Sequence, residues 1–170
     1  MYYRRGHRFY DRAALDLMER AQSSAFFAPA RSDFSEAIRR NPKHALAFDR
    51  RGLVAQSTGD WEQAIADYQQ EATLDPGARY RVADAYCNRG GSYLREKKYD
   101  PAIADFNKAI EIGGPSDPCQ CEPYNPLLAI YLNQTREFDM ARAVVARAQR
   151  AGKWVAPEYL EQLKAASPIR

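Results

Sequence analysis

The residues of this chain whose types could support chemistry are few and scattered. Cys119 and Cys121 form a Cys-x-Cys pair, while Cys87, His7 and His44 lie far from that pair in sequence. A structural zinc site needs four converging ligands, usually two close pairs, and only one close pair is present. Three cysteines in 170 residues do not form a disulfide framework either, so the sequence predicts ordinary reduced thiols and neither a metal nor a cofactor.

Signatures of catalysis are missing from the sequence as well. It has no Gly-rich phosphate loop, no Ser–His–Asp arrangement with a local signature and no His-Glu-x-x-His motif. Asp100 and Asp105 stand where helix caps and outer helix surfaces are expected, which favours a structural role over acid–base chemistry. We therefore assign no catalytic residue and predict that the protein is not an enzyme.

Charge and hydropathy argue against two further classes of partner. Residues 1–10 interleave basic and aromatic side chains, a mixture that can stack on bases, but the net charge of the whole chain is only +3. No nucleic-acid partner is therefore expected. No stretch reaches the roughly 18 apolar residues of a membrane span, and no apolar segment of a signal peptide follows the basic start. The sequence predicts a cytoplasmic protein, although a piece of a longer or exported protein would look the same.

The helices that must position any functional residue are indicated by a repeated sequence motif. Residues 59–68 are echoed by residues 97–106 and, more faintly, by residues 136–145. Each copy has an aromatic residue, an alanine three positions later and a bulky residue four positions after that, as in Trp61, Ala64 and Tyr68. Self-similarity at about 34 to 40 residues indicates a solenoid of helix–turn–helix units.

These units resemble tetratricopeptide repeats, whose pattern runs through a Gly in the first helix and through Ala, an aromatic and Pro in the second. The clearest matches lie in the two central units, the last unit has a valine in place of the second-helix aromatic, and the first unit matches least. The matching residues are Ala30, Phe34, Ala37 and Pro42; Phe48, Gly52, Trp61, Ala64, Tyr68 and Pro76; Tyr86, Gly90, Tyr93, Tyr99, Ala102, Phe106 and Ala109; and Leu128, Ala129, Phe138, Ala141 and Ala148, while Val145 is the valine that replaces the aromatic.

Departures from the family pattern carry their own predictions. Arg51 and Arg89 replace the usual leucine before the first-helix glycine, and we expect their stems to pack and their charged ends to reach water. Glu71 stands where a small residue belongs, which indicates a local shift or a looser helix contact. Asp60 and Asp100 are expected to cap helices, with Pro101 at the first helical position. Residues 23–29 predict an irregular turn in the first unit.

The resemblance implies an all-α, right-handed superhelical solenoid of four repeats. The basic and aromatic segment 1–10 comes first, followed by repeats at about 11–44, 45–78, 83–116 and 122–155. Residues 156–170 would form a capping helix and tail, with Pro157 opening the helix, because the last repeat needs a polar outer face.

In this family the first helix of each repeat lines a concave groove, so the resemblance implies a scaffold or adaptor that binds a peptide or helix of a partner protein. The alternatives are a substrate-recruiting domain of a larger enzyme and a self-assembling module; partner identity and oligomeric state stay open. The groove positions carried over are Asp49, Arg50, Leu53, Gln56, Asn88, Arg95, Ile130, Asn133 and Gln134.

One type of ligand can be tested against the sequence directly. Relatives that hold the acidic C-termini of heat-shock chaperones do so with five converging Lys, Asn and Arg groups. Asn88 matches the central asparagine, but Asp49, Leu53, Pro123 and Leu127 stand at the other four positions. No carboxylate clamp for chaperone tails is therefore expected.

Overall fold

The computed structural model describes residues 20–113 and 122–166, with side chains from Phe26 onward, and these residues form helices joined by short turns, with no strand among them. By contacts the chain divides into two compact units, Met1–Ala85 and Tyr86–Arg170. The segment 1–10 and most of the insertion after Gly113 lie outside the described residues. The helices are α1 (Arg20–Arg40), α2 (Ala45–Thr58), α3 (Trp61–Leu74), α4 (Arg79–Arg95), α5 (Tyr99–Ile112), α6 (Tyr124–Asn133), α7 (Phe138–Arg150) and α8 (Pro157–Ala165).

The first unit packs α1 on α2 and α2 on α3, with a single 3-10 turn, Pro76–Ala78, leading into α4. Ala30 and Phe34 of α1 meet Val54 of α2 in a buried cluster. Residues 20–40 form one continuous helix with Pro29 inside it, so the turn predicted at residues 23–29 is wrong. Proline removes one backbone donor but keeps a helical φ, so neighbouring hydrogen bonds can carry the helix past it.

The second unit buries one continuous apolar cluster. α5, α6 and α7 contribute Phe106, Leu128 and Val144 to it, and α8 closes it with Leu163. α8 begins at Pro157, as the sequence predicts, and packs on both α6 and α7. Tyr159 and Leu160 also face this cluster, while Glu158 and Glu161 are exposed. The closing helix therefore covers the last repeat with its apolar side and presents charge to water.

The turns inside the three described repeats share one left-handed residue. Gly59, Lys97 and Arg136 have φ values of 80°, 60° and 58° and stand 38 and 39 positions apart. Only glycine adopts this conformation without steric cost, so Lys97 and Arg136 hold it at the expense of some strain. The shared turn sets where each second helix begins.

The residue after this turn is the N-cap of the second helix in each repeat. Asp60 confirms its predicted role, because its Oδ1 accepts a 3.3 Å hydrogen bond from the Gln63 amide. The equivalent residues Lys98 and Glu137 cap with no side-chain bond. The prediction that Asp100 is a cap is wrong: α5 already begins at Tyr99, which places Asp100 inside its first turn.

Candidate functional site

The site lies where the two helices of one repeat contact each other; we call this contact the seam. In the first unit, a Cβ atom added to Gly52 would lie 2.8 Å from the Tyr68 ring, and in the second unit one added to Gly90 would lie 3.1 Å from the Phe106 ring. Both rings are buried at about 1% exposure. The two glycines thus hold their place because an aromatic ring lies directly against the backbone of the facing helix.

Beside each glycine, an arginine joins the same two helices. Arg51 binds Asp67 through two hydrogen bonds of 2.9 and 2.6 Å, and Arg89 binds Asp105 through two of 2.7 and 2.8 Å. The aspartates are 1% and 5% exposed. The guanidinium of Arg89 also lies over the ring of Tyr86, 5.4 Å from its centroid.

These pairs correct two predictions. Arg51 and Arg89 do not hold their charged ends in water, and Asp105 is not on an outer surface. Each arginine and its aspartate are sixteen residues apart on different helices, so neither partner appears in the local sequence of the other. A recurring Arg and Asp with the same separation in both copies was the available signal.

The last repeat fills the equivalent positions with apolar residues. Leu128 and Val144 stand 39 positions after Arg89 and Asp105, and both are buried in the cluster of the second unit. Ala129 and Val145 likewise replace Gly90 and Phe106. Alanine is larger than the glycine that it replaces, and valine is smaller than the phenylalanine that it replaces. The two helices can therefore still pack closely although the seam is now apolar.

On the first helix of the second repeat, the predicted groove residues divide by exposure. Arg50, Leu53 and Gln56 are half-buried and follow one another at three-residue steps, which places them on one side of α2. Asp49 is 1% exposed and lies 2.9 Å from Arg81 and 3.5 Å from Arg50. The prediction that Asp49 contacts a partner is therefore wrong, because its buried carboxylate pairs with two arginines and offers no surface.

The second unit shows the same division. Asn88 and Arg95, two helical turns apart on α4, are exposed, and so are Asn133 and Gln134 at the end of α6. Ile130 is fully buried in the apolar cluster, which corrects its assignment as a contact residue. The hydrophobic run Leu127–Leu132 explains the error: because nearly every residue of this helix is apolar, the sequence does not distinguish its buried side from its open side.

Cys87 changes the prediction about the thiols. It is 9% exposed and disulfide-bonded, whereas the sequence predicted reduced cysteines. The other two cysteines of the chain, Cys119 and Cys121, lie outside the described residues. The reduced state predicted for Cys87 is therefore wrong, while the cytoplasmic location stays a prediction. Cysteine spacing alone does not reveal such a pairing.

The described residues show neither a metal centre nor a membrane-spanning helix. Within residues 20–113 and 122–166, no group of three or more His, Cys, Asp or Glu side chains is arranged to hold a metal ion. Among the helices of the same ranges, none is long and apolar enough to cross a membrane.

Sequence comparisons point to one family. Tetratricopeptide repeat profiles match residues 15–79 and 83–112, together more than half of the chain. The chain is 30% identical over 119 residues to tetratricopeptide repeat protein 36 of Xenopus tropicalis, covering 70% of this chain and 59% of that protein. It is 25% identical over 93 residues to small glutamine-rich tetratricopeptide repeat-containing protein 2 of Mycosarcoma maydis, covering 55% of this chain and 25% of that protein. With the paired helices and their repeated seam, these matches show that the chain belongs to the tetratricopeptide repeat family.

Proposed function

We propose that the protein is a non-catalytic adaptor that binds a peptide or helix of a partner protein through the exposed sides of its first helices. The observation that carries the proposal is a division between two sets of residues. The seam residues Asp67 and Tyr68 recur as Asp105 and Phe106 in the next repeat and are buried, whereas the half-buried and exposed residues on the open sides of α2 and α4 differ between these two repeats. Recurring residues build the scaffold, and residues that differ are the ones available to select a partner.

The side chains of α2 suit an extended or helical peptide. Leu53 offers an apolar contact, Gln56 can donate to and accept from a peptide backbone, and Arg50 carries a charge held by the buried Asp49. On α4, Asn88 and Arg95 provide an amide and a charge two turns apart. Electrostatic groups of this kind fix partner and register more than they add affinity. A chaperone-tail clamp is not part of the proposal, since only Asn88 of its five groups is present.

The test compares each proposed face with another face of the same unit. A photo-crosslinking residue at Gln56 should capture a partner that the same residue at exposed Gln70 on α3 does not. Arg50→Ala with Gln56→Ala should then lower affinity for that partner at least tenfold, while Gln69→Ala with Gln70→Ala leaves it unchanged. In the second unit, Asn88→Ala with Arg95→Ala is compared with Lys108→Ala. Equal capture at both positions, or equal affinity of both variants, would contradict the proposal.

Self-association is the second candidate, and one observation favours it. Trp154 is 66% exposed and Met140 is 47% exposed, both in the second unit. An indole exposed to this extent would remove apolar surface from water if it packed against a second copy of the chain. Sedimentation velocity across a hundredfold range of concentration should show a larger species that Trp154→Ser abolishes. A single sedimenting monomer throughout would exclude this candidate.

A further inference from the structure

A cluster of charged residues in the first unit joins three helices around Glu71. Asp49 and Arg50 come from α2, Glu71 from α3 and Arg81 from the first turn of α4. Arg81 Nη1 lies 2.9 Å from Asp49 Oδ1, while Arg81 Nε lies 3.5 Å from Glu71 Oε1. Arg81 therefore makes its shorter contact with Asp49 and its longer, weaker contact with Glu71.

Glu71 occupies a position that the later repeats give to alanine. Ala109 and Ala148 stand 38 and 39 residues further along at successive steps, and they are 2% and 0% exposed. Glu71 is itself only 5% exposed, and its Oε2 is buried without a hydrogen-bond partner. A carboxylate left in this condition is costly, whereas a protonated carboxyl is far cheaper to bury.

The surroundings of Glu71 favour its protonated form. Burial and then the Asp49 charge raise the pKa of Glu71 to about 7, while Arg81 lowers it, Asp75 at the end of α3 raises it and Arg50 lowers it. The first turns of α4 add Arg81, which also lies over the Tyr80 ring. With Glu71 protonated, one buried carboxylate serves two arginines. With Glu71 ionised, two carboxylates compete for Arg81.

We propose that Glu71 is a proton-operated latch on the junction of α2, α3 and the first turns of α4. Protonated Glu71 lies neutral beside the Asp49–Arg81 pair, and the junction is closed. When Glu71 loses its proton to water, the new carboxylate draws Arg81 from Asp49 and brings solvent into the junction, which loosens the first turns of α4. The latch lies within the first unit and does not depend on partner binding.

The direction of the pH effect follows from the raised pKa. The folded state binds the proton more tightly than the unfolded chain, where a glutamate titrates near 4.5. The stabilisation from Glu71 is therefore complete below about pH 4.5 and is lost as the pH rises through about 7. Between pH 5.5 and pH 8.5, we expect the folded-to-unfolded ratio to fall at least about tenfold more in the natural protein than in Glu71→Gln.

Three measurements on the full chain test the latch. Carbon-13 NMR should show the Glu71 carboxyl titrating near 7, a result that needs no variant. Urea unfolding of the natural protein, Glu71→Gln and Glu71→Ala should show the extra pH dependence only in the natural protein. Glu62→Gln is the matched control, because Glu62 is exposed in the first turn of the same helix, and it should keep the natural pH dependence.

Hydrogen exchange separates a latch from a merely buried acid. Protection of the amides in the first half of α4 should fall between pH 6 and pH 8 in the natural protein and stay constant in Glu71→Gln. Titration of Glu71 near 4.5 would overturn the proposal. So would the same pH dependence of stability in the natural protein and Glu71→Gln, or α4 protection that does not respond to the titration.

Discussion

The α4–α5 and α6–α7 pairs place opposite chemistry at equivalent seam positions. The first pair uses Arg89 and Asp105 joined by two hydrogen bonds, and the second uses Leu128 and Val144 within an apolar cluster. Asp105, Leu128 and Val144 are buried and Arg89 is partly buried, and both arrangements lie in the same compact unit. The position is therefore defined by the space between the helices, and an ion pair is one of two ways to fill it.

The charged and the apolar seam also differ in what they contribute: net stability in one respect, and the alignment of the two helices in the other. Removing two charges from water costs about as much as their attraction returns, so a buried pair gives little net stability. A bidentate Arg–Asp contact does, however, require one alignment of the two helices, because the planar guanidinium must face both carboxylate oxygens. Leu128 and Val144 can tolerate a small slide. We expect the charged seams to fix helix register more tightly than the apolar seam does.

The largest expected effect comes from breaking one charged seam on one side only. Asp105→Val leaves the guanidinium of Arg89, whose side chain is 18% exposed, without its carboxylate. Unfolding free energy should fall by about 3 kcal/mol, measured by urea denaturation followed by circular dichroism. Asp139→Ala is the control, because Asp139 forms an Arg pair on the open surface, and its loss should be within about 1 kcal/mol. Equal losses would show that burial of the pair is irrelevant.

A smaller loss is expected from filling the glycine beside the charged pair. Gly52→Ala places a methyl group 2.8 Å from the buried Tyr68 ring and should cost about 2 kcal/mol. Gly90→Ala, at 3.1 Å from Phe106, should cost about 1 kcal/mol. In a Phe106→Val background, which resembles the Ala129 and Val145 arrangement, the cost of Gly90→Ala should shrink. An unchanged cost in that background would mean that the ring is not what excludes the methyl group.

The smallest expected change in stability comes from the left-handed residue in the turn of each repeat. Lys97→Gly relieves a left-handed residue at φ 60° and should raise unfolding free energy by about 0.5 kcal/mol. Gly59→Ala, at the matching position of the preceding repeat, should lower it by about 1 kcal/mol. Thermal unfolding monitored by circular dichroism is sufficient for both. A loss on Lys97→Gly would show that the lysine side chain contributes more than its backbone costs.

The parts of the fold that were predictable from sequence are those whose residues recur at a regular spacing. Gly52, Gly90 and the alanines at 64, 102 and 141 recur because the repeats need the same close approach, so alignment of the copies found the repeat helices. The closing helix lies outside the period and was predicted from Pro157 and its apolar and polar sides. The partners across the seam were not found, because Arg51 and Asp67 are sixteen residues apart on two helices. Local pattern also failed at Pro29, which lies inside a continuous helix although proline usually breaks one.

The candidate site was predictable only in part, for a related reason. Arg50, Leu53 and Gln56 follow from the repeat register, which places them on the open side of α2. Asp49 and Ile130 share that register but are buried, one by two neighbouring arginines and the other in an apolar helix. Register gives the direction of a side chain, whereas its exposure depends on which residues of other helices cover it.

The most direct test of the account transfers the apolar seam into the charged one. Arg89→Leu with Asp105→Val reproduces the residues of the last repeat, and urea unfolding of the double variant, both single variants and the natural protein completes a double-mutant cycle. We predict that each single variant loses about 3 kcal/mol while the double variant stays within about 1 kcal/mol of the natural protein. A double variant that loses the sum of the two single losses would contradict the claim that the two chemistries fill one equivalent position.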